Sequence, residues 1–325
     1  MINLLGLNIS SAFKSAVTVY ILIPLLVIPQ LVLSGVIISF DKFNPQLSSL
    51  DKVPAVGNLM ASRWAFEALV VTQFIDNAYT RQFYTYNREV ALSHYYSTYY
   101  VPKLQSHLSE VANKFDALSS HPDSIKIVEG HLNLLQYEIE RQLKIVGVNN
   151  FTNAPSIQVS TFNRDIYIET EAFLSTLKRY YRNKNQYWTR KLDSITKILN
   201  ETPAGFKAQQ LLRTRNFNET LAEMLEGKGA TTRIAESNGK LVQKMYPVYY
   251  KPDESKFLDI ASQFYSPEKI IAHKVIPTLY VNLLVILLMT LIMIISLYYD
   301  WLKKLMNIIE DFKLKRKYRK SALKN

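Results

Sequence analysis

The sequence predicts a mainly α-helical membrane protein in which two membrane-spanning helices enclose one large helical extracytoplasmic domain. Residues 15–40 contain no charged residue, and neither do residues 275–299. At about 1.5 Å of rise per residue, each run is long enough to cross a hydrocarbon core about 30 Å thick. Between the two runs, apolar residues recur at three- and four-residue steps, and the whole chain has only nine glycines. This pattern is typical of helices rather than strands.

The first apolar run is interrupted by Pro24 and Pro29. A membrane helix tolerates such residues as kinks when neighbouring helices or cavity water satisfy the freed backbone groups, so we expect this helix to belong to a bundle. Residues 41–80 then form a predicted outer loop, whose stretch 59–74 is apolar on nearly every side and carries Arg63 and Trp64 near one end. That composition favours a re-entrant or interfacial helical piece, with a buried core helix as the alternative.

The charge beside the second run predicts the orientation. Residues 300–325 contain nine Lys or Arg against three Asp or Glu. This positive excess places the basic tail and, after two crossings, residues 1–14 in the cytoplasm, with residues 41–274 outside the inner membrane of a bacterium. The net charge of +12 therefore indicates contact with anionic membrane lipid rather than with nucleic acid.

The segment 81–274 is predicted to be a helical extracytoplasmic insertion. Its apolar periodicity and its Gly, Pro and Asn breaks predict helices over 87–118, 124–146, 165–199, 203–226 and 253–265, with short strands at 157–160 and 241–250. Tyrosines occur in adjacent pairs at 95–96, 99–100, 180–181 and 249–250. We interpret them as packing surface with one polar end, with stacking on sugars or lipid head groups as the alternative.

No catalytic pattern is present in the sequence. It lacks the phosphate-binding, nucleophile-elbow and His-Glu-x-x-His motifs, and the absence of cysteine excludes thiol chemistry, thiolate metal sites and disulfides. The histidines have no partner at a four-residue step, so we predict no metal site and interpret each as a surface or interface residue. Glu138 and Glu140 point to different helix faces, and we interpret them as solvated charges. The chain is thus not expected to be an enzyme by itself.

One stretch resembles a known family. Ser34 and Gly35 close the first apolar run, a short loop follows, and the chain then reads Arg63-Trp64-Ala65-Phe66-Glu67-Ala68-Leu69 and reaches Phe74. This order resembles the end of the permease domain of G-type (white-family) ATP-binding cassette exporters, a type-2 transmembrane domain. In that family the fifth membrane helix is followed by an outer loop that dips back into the membrane. The resemblance covers residues 6–75 and the final span.

The resemblance implies that the chain is the C-terminal permease portion of such an exporter, enlarged by the extracytoplasmic insertion and forming part of the substrate path. The aliphatic pair Val36 and Ile37 after Ser34 and Gly35 would correspond to the family's plug. The implied partners are further permease helices in a dimeric assembly and an ATP-binding cassette subunit or domain, which would hold ATP and Mg²⁺ while this chain binds no cofactor.

Glu67 departs from the family pattern, where a neutral residue is more common. A carboxylate at membrane depth needs a partner, and Arg63, four residues earlier on the same helix face, is the predicted one.

Two other classes of protein remain open. A polysaccharide co-polymerase of the chain-length-determinant type also has two spans around a large helical periplasmic segment, although its proline-rich signature is reduced here to Pro277. A two-span sensor or scaffold is the other alternative, although a tail of about 25 residues is short for a signalling domain. Neither explains why a proline-kinked helix is followed by an apolar re-entrant piece.

Overall fold

The protein is mainly α-helical. The computed structural model describes residues 1–13, 15–35, 53–115, 122–147, 151–229, 232–261 and 263–308. Over these ranges the chain forms the helices α1 Ile2–Ala12, α2 Ala16–Val32, α3 Ala55–Asn58, α4 Ala61–Ile75, α5 Thr80–Tyr95, α6 Val101–Phe115, α7 Pro122–Val146, α8 Arg164–Leu199, α9 Pro203–Asn216, α10 Glu219–Glu226 and α11 Thr278–Tyr298. The predicted fold class is confirmed at this level.

Two small antiparallel sheets lie between α10 and α11. The strands β1 Ile234–Ser237 and β2 Lys240–Gln243 form a hairpin. The strands β3 Leu258–Asp259, β4 Glu268–Ile271 and β5 Lys274–Pro277 form a sheet in the order β3-β4-β5. Because β5 runs directly into α11, the second sheet lies at the start of that helix.

The main hydrophobic core is built by α6, α7 and α8 with the end of α5. Fully buried side chains recur at four-residue steps on α6, at Leu104 and Leu108, and on α7, at Leu135 and Ile139. This spacing places them on one stripe of each helix, so the stripes pack against each other. Burying each such side chain contributes about 1.5–3 kcal/mol, which makes this core the main source of stability of the domain.

A π-helical turn, Tyr96–Tyr100, joins α5 to α6. The N–H of Val101 donates to the carbonyl of Tyr96, five residues back, and the next residue is Pro102, which has no N–H to donate and crowds the preceding turn. The predicted single helix over 87–118 is therefore wrong in two respects. It begins earlier, at Thr80, and it is interrupted by this wide turn.

The apolar helices α1, α2 and α11 pack together apart from the main core. Of the helices that the structure describes, only α11 is both long and apolar enough to cross a membrane. Helix α2 has 17 residues and continues through Pro24 and Pro29, and the rest of the first apolar run lies outside the described residues. Asn8 of α1 donates from Nδ2 to the carbonyl of Met293 at 3.0 Å, which ties α1 to α11. The first crossing stays a prediction.

Several predicted elements of the insertion differ from those observed. The apolar residues of 253–265 form a loop with the short strand β3, because that strand pairs with β4 instead of forming a helix. The strand expected at 157–160 is not formed, since residues 157–160 make a bend and a turn that follow a 3-10 turn at 154–156. The helix expected over 203–226 ends at Asn216 and restarts after Asn218, whose side chain accepts the N–H of Leu221 as an N-cap. The second apolar run begins as strand β5 and becomes helical only at Thr278.

Candidate functional site: a buried ion cluster between α4 and α11

Helix α4 places Arg63, Trp64 and Glu67 on one buried face. The four-residue step puts Arg63 and Glu67 one above the other, and both side chains are completely buried. This face packs against α11 and lies beside β4. A carboxylate and a guanidinium with no exposed surface are costly unless they are paired, so their partners define the site.

Glu67 is the centre of the cluster. Its Oε2 accepts hydrogen bonds from Nζ of Lys269 at 2.6 Å and from Nδ2 of Asn282 at 2.8 Å, and its Oε1 accepts from the backbone N–H of Tyr265 at 3.2 Å. The predicted partner Arg63 lies farther away, with a terminal guanidinium nitrogen 3.5 Å from Oε2. The predicted pair is therefore present, but Lys269 of β4 is the closer cation.

Trp64 contacts both cations. The guanidinium carbon of Arg63 lies 3.9 Å from the centre of an indole ring, and Nζ of Lys269 lies 4.8 Å from it. The negative face of an indole attracts cations, most strongly where water is excluded. The indole N–H donates to the carbonyl of Asn58 at 2.8 Å, which fixes the ring. Trp64 thus compensates part of an imbalance of two buried cations against one carboxylate.

The imbalance affects Lys269 and Arg63 differently. Burial lowers the pKa of Lys269 to about 8, with Glu67 acting in the opposite direction. Lys269 therefore stays mostly protonated at neutral pH and can lose its proton in mildly alkaline solution, while a guanidinium keeps its charge in proteins. In the described part of the chain, none of the Arg63 side-chain nitrogens has a hydrogen-bond acceptor.

Asn282 and the turn before α11 complete the site. Asn282 also donates to the backbone carbonyl of Trp64 at 3.0 Å. One turn earlier, the hydroxyl of Thr278 donates to the carbonyl of Ser266 at 2.6 Å. These bonds hold α4, the β4 segment and the start of α11 as one unit.

Sequence reasoning missed Lys269 and Asn282 because they lie 202 and 215 residues from Glu67 along the chain. The available signal in the sequence was the polar residue Asn282 inside the otherwise apolar second run.

The other predicted site residues lie outside this cluster. Ser34 is buried and its hydroxyl donates to the carbonyl of Leu31 at 2.6 Å, while Gly35 has a φ of 81°, which ends α2 in a conformation that glycine adopts easily. Val36 and Ile37 lie outside the described residues. Phe74, at the other end of α4, is buried edge-to-face against Tyr249 with ring centres 6.2 Å apart.

A second buried polar centre lies in the main core, where the interpretation of Glu138 as a solvated charge is wrong. Glu138 is fully buried, accepts from the Tyr100 hydroxyl at 2.8 Å and from the Leu241 N–H at 2.7 Å, and pairs with Arg141 at 3.0 Å. It therefore connects α7 to the π-helical turn before α6 and to the β1-β2 hairpin, which sequence spacing within one helix could not reveal.

The interpretation of His107 as a surface or interface residue is also wrong, because its side chain is buried between α6 and α7. The Nδ1 atom of His107 lies 2.6 Å from Nδ1 of His131. The outer ring nitrogens lie 3.1 Å from Glu236 for His107 and 3.2 Å from Glu110 for His131. One Nδ1 must donate and the other accept, because two N–H groups cannot point at each other.

The chemistry of these centres is that of ion pairing and proton binding. Across the described ranges, no group of three or more His, Asp or Glu residues could hold a metal ion.

Comparison of the chain with protein-family models, curated proteins and solved structures finds no match.

Proposed function

We propose that the chain is a membrane permease component of a G-type ATP-binding cassette exporter, corresponding to the C-terminal portion of a type-2 transmembrane domain. The main observation in support of the proposal is the buried ion cluster, whose hydrogen bonds connect α4 to the start of α11. It supports the proposal because the family resemblance lies in the Arg63–Glu67 segment and in the final span, and the cluster makes these two parts of the sequence neighbours.

The cluster also fits a re-entrant piece beside a membrane helix. By the positive-inside rule the basic tail would lie in the cytoplasm, which would put the start of α11 and the cluster toward the outer surface. The buried charges of α4 are paired with residues of this chain. The exposed apolar side chains of the helix can therefore contact lipid or other permease helices. Leu69, exposed on α4, is the kind of side chain expected on such a face.

In the proposed assembly, this chain contributes part of the substrate path in the inner membrane. The sequence has no nucleotide-binding motif, so ATP and Mg²⁺ would be bound by an ATP-binding cassette subunit or domain. Further permease helices would complete the path, and the pairing of two such halves would give the dimer typical of this class.

Affinity purification from membranes of the source cells tests the proposal. The chain is tagged at its C-terminus, extracted in mild detergent and analysed by mass spectrometry and native mass. We expect an ATP-binding cassette ATPase and additional permease helices to co-purify. Ser194→Ala, an exposed substitution on α8, serves as the matched control and should recover the same partners. A ring of identical subunits without an ATPase would instead favour the co-polymerase class.

A further inference from the structure

A cavity of about 590 Å³ lies among α4, α5, the end of α8 and α9. This volume is within the range of about 300–1,000 Å³ that is usual for small-molecule sites. The cavity is separate from the ion cluster, since neither Glu67 nor Lys269 lines it. Phe74, the last buried residue of α4, contributes to its wall.

Aromatic rings form one part of the cavity wall. Tyr79 lies edge-to-face with Phe83 and with Phe217, with ring centres 5.4 and 5.5 Å apart. Phe206 of α9 also lines the cavity and is 56% exposed. These rings provide an apolar surface for a ligand that has an apolar face of its own.

Amide side chains form a second part of the cavity wall. Asn87, Gln209 and Gln210 line the cavity. Nδ2 or Nε2 groups donate and amide oxygens accept, so each amide can bind a hydroxyl in either role. Gln209 donates to Oε1 of Gln82 at 2.9 Å, and its own Oε1 is buried without a donor among the described residues. A buried oxygen of this kind indicates a missing hydrogen-bond donor.

Two of the three charged residues that line the cavity have partners. Arg213 pairs with Glu219 at 3.0 Å, and Glu226 pairs with Lys228 and accepts from the Tyr249 hydroxyl at 3.0 Å. The third, Asp193, also lines the cavity and is exposed; a carboxylate accepts hydrogen bonds from hydroxyl groups and repels an anion. The lining therefore favours a hydroxyl-bearing ligand without negative charge.

Helix α9 forms one wall of the cavity without being packed into the core. None of its residues is buried, although it spans 14 residues and carries the apolar side chains Phe206 and Leu211. The cavity is partly open to solvent, so a ligand can enter it directly.

We infer that this cavity binds a neutral, polyhydroxylated ring, as found in a sugar residue. Sugars have C–H faces that stack on aromatic rings and hydroxyls that both donate and accept, which matches the two parts of the wall. A purely apolar ligand would leave these amide groups without hydrogen-bond partners in the ligand. The inference is independent of the exporter assembly, because every lining residue belongs to this chain.

Calorimetric titration of the full-length chain in detergent tests the inference. One arm uses soluble neutral oligosaccharides of hexose and N-acetylhexosamine units, and the other uses glycolipids of the same head groups in mixed micelles. Binding in both arms identifies a free glycan as sufficient, and binding only in the second identifies a lipid-linked one. If no neutral saccharide binds in either arm below about 1 mM, the inference is overturned.

Two variants locate the binding. We expect Gln209→Ala and Phe217→Ala each to weaken the binding about tenfold or more, which corresponds to the loss of one good contact. Leu211→Ala, on the same helix but outside the cavity lining, is the matched control and should bind as the original chain does. Gln209→Glu keeps the size of the side chain and adds a charge. We expect this variant to fold as the original chain does but to bind the saccharide more weakly, which would show that weaker binding is not caused by unfolding. Equal affinity for Gln209→Glu and the original chain would count against this site.

Discussion

At the scale of single residues, the charge count of the ion cluster predicts unequal effects for its members. Glu67→Gln leaves Arg63 and Lys269 buried without an anion, whereas Lys269→Met leaves the balanced pair of Arg63 and Glu67. Removing one member of a buried pair costs about 3–5 kcal/mol when the remaining charge is uncompensated. We therefore expect Glu67→Gln to lower the free energy of unfolding by about this amount and Lys269→Met to lower it by clearly less.

Thermal unfolding of the purified variants in detergent measures this order. Gln73→Ala changes an exposed side chain of the same helix and should stay within about 0.5 kcal/mol of the original chain. If Lys269→Met were as damaging as Glu67→Gln, the lysine would contribute more than its charge, and the proposed balance would be wrong.

At the same scale, the sequence predicted part of the cluster and no more. Arg63 and Glu67 were found because a helix brings residues four apart together, a rule that needs no tertiary structure. Lys269 and Asn282 were not found because their positions depend on how the β4 segment folds over α11. Glu138 was misjudged for the same reason, since its partners Tyr100 and Leu241 come from other elements.

At the scale of elements, the two histidines connect α6 to α7 and make this contact sensitive to pH. His107 faces His131 of α7, Glu236 of β1 and Lys103 of its own helix, and Glu110 faces the other end of the row. Burial lowers the pKa of His107, and a second proton on the ring pair would place two N–H groups face to face. At pH values below the ordinary histidine pKa of about 6.5, the unfolded chain therefore binds protons more readily than the folded chain.

The sign of this linkage predicts that the domain loses stability as the pH falls. Between pH 7 and pH 5 we expect the melting temperature of the original chain to decrease, and His107→Gln to remove a large part of that decrease. The exposed histidine His273 provides the control, because His273→Gln should leave the slope unchanged. Parallel pH profiles for the original chain and His107→Gln would show that the pair does not carry the effect.

The elements of the insertion were predictable where the signals were local. Helix α8 begins within one residue of the predicted start, since the side chain of Asn163 accepts the N–H of Ile166 and caps it, and it ends before Pro203 as expected. The π-helical turn and the β3-β4-β5 sheet were missed. The first depends on how the chain accommodates Pro102 inside a long helix, and the second on pairing between separate stretches, so neither has a periodic signal of its own.

At the scale of the whole molecule, the proposed orientation predicts which parts a membrane-impermeant reagent can reach. The natural chain has no cysteine, so a single introduced cysteine reports its own position without interference. Ser194 is exposed on α8 in the proposed extracytoplasmic domain, and Ser321 belongs to the basic C-terminal stretch that the positive-inside rule assigns to the cytoplasm. We expect Ser194→Cys to react with an impermeant maleimide in cells whose outer membrane has been opened, and Ser321→Cys to react only after the inner membrane is permeabilised. The reverse pattern would place the ion cluster and the cavity on the cytoplasmic side. Reaction of both positions without permeabilisation would mean that the chain crosses the membrane an even number of times between them, which would contradict the single crossing proposed for α11.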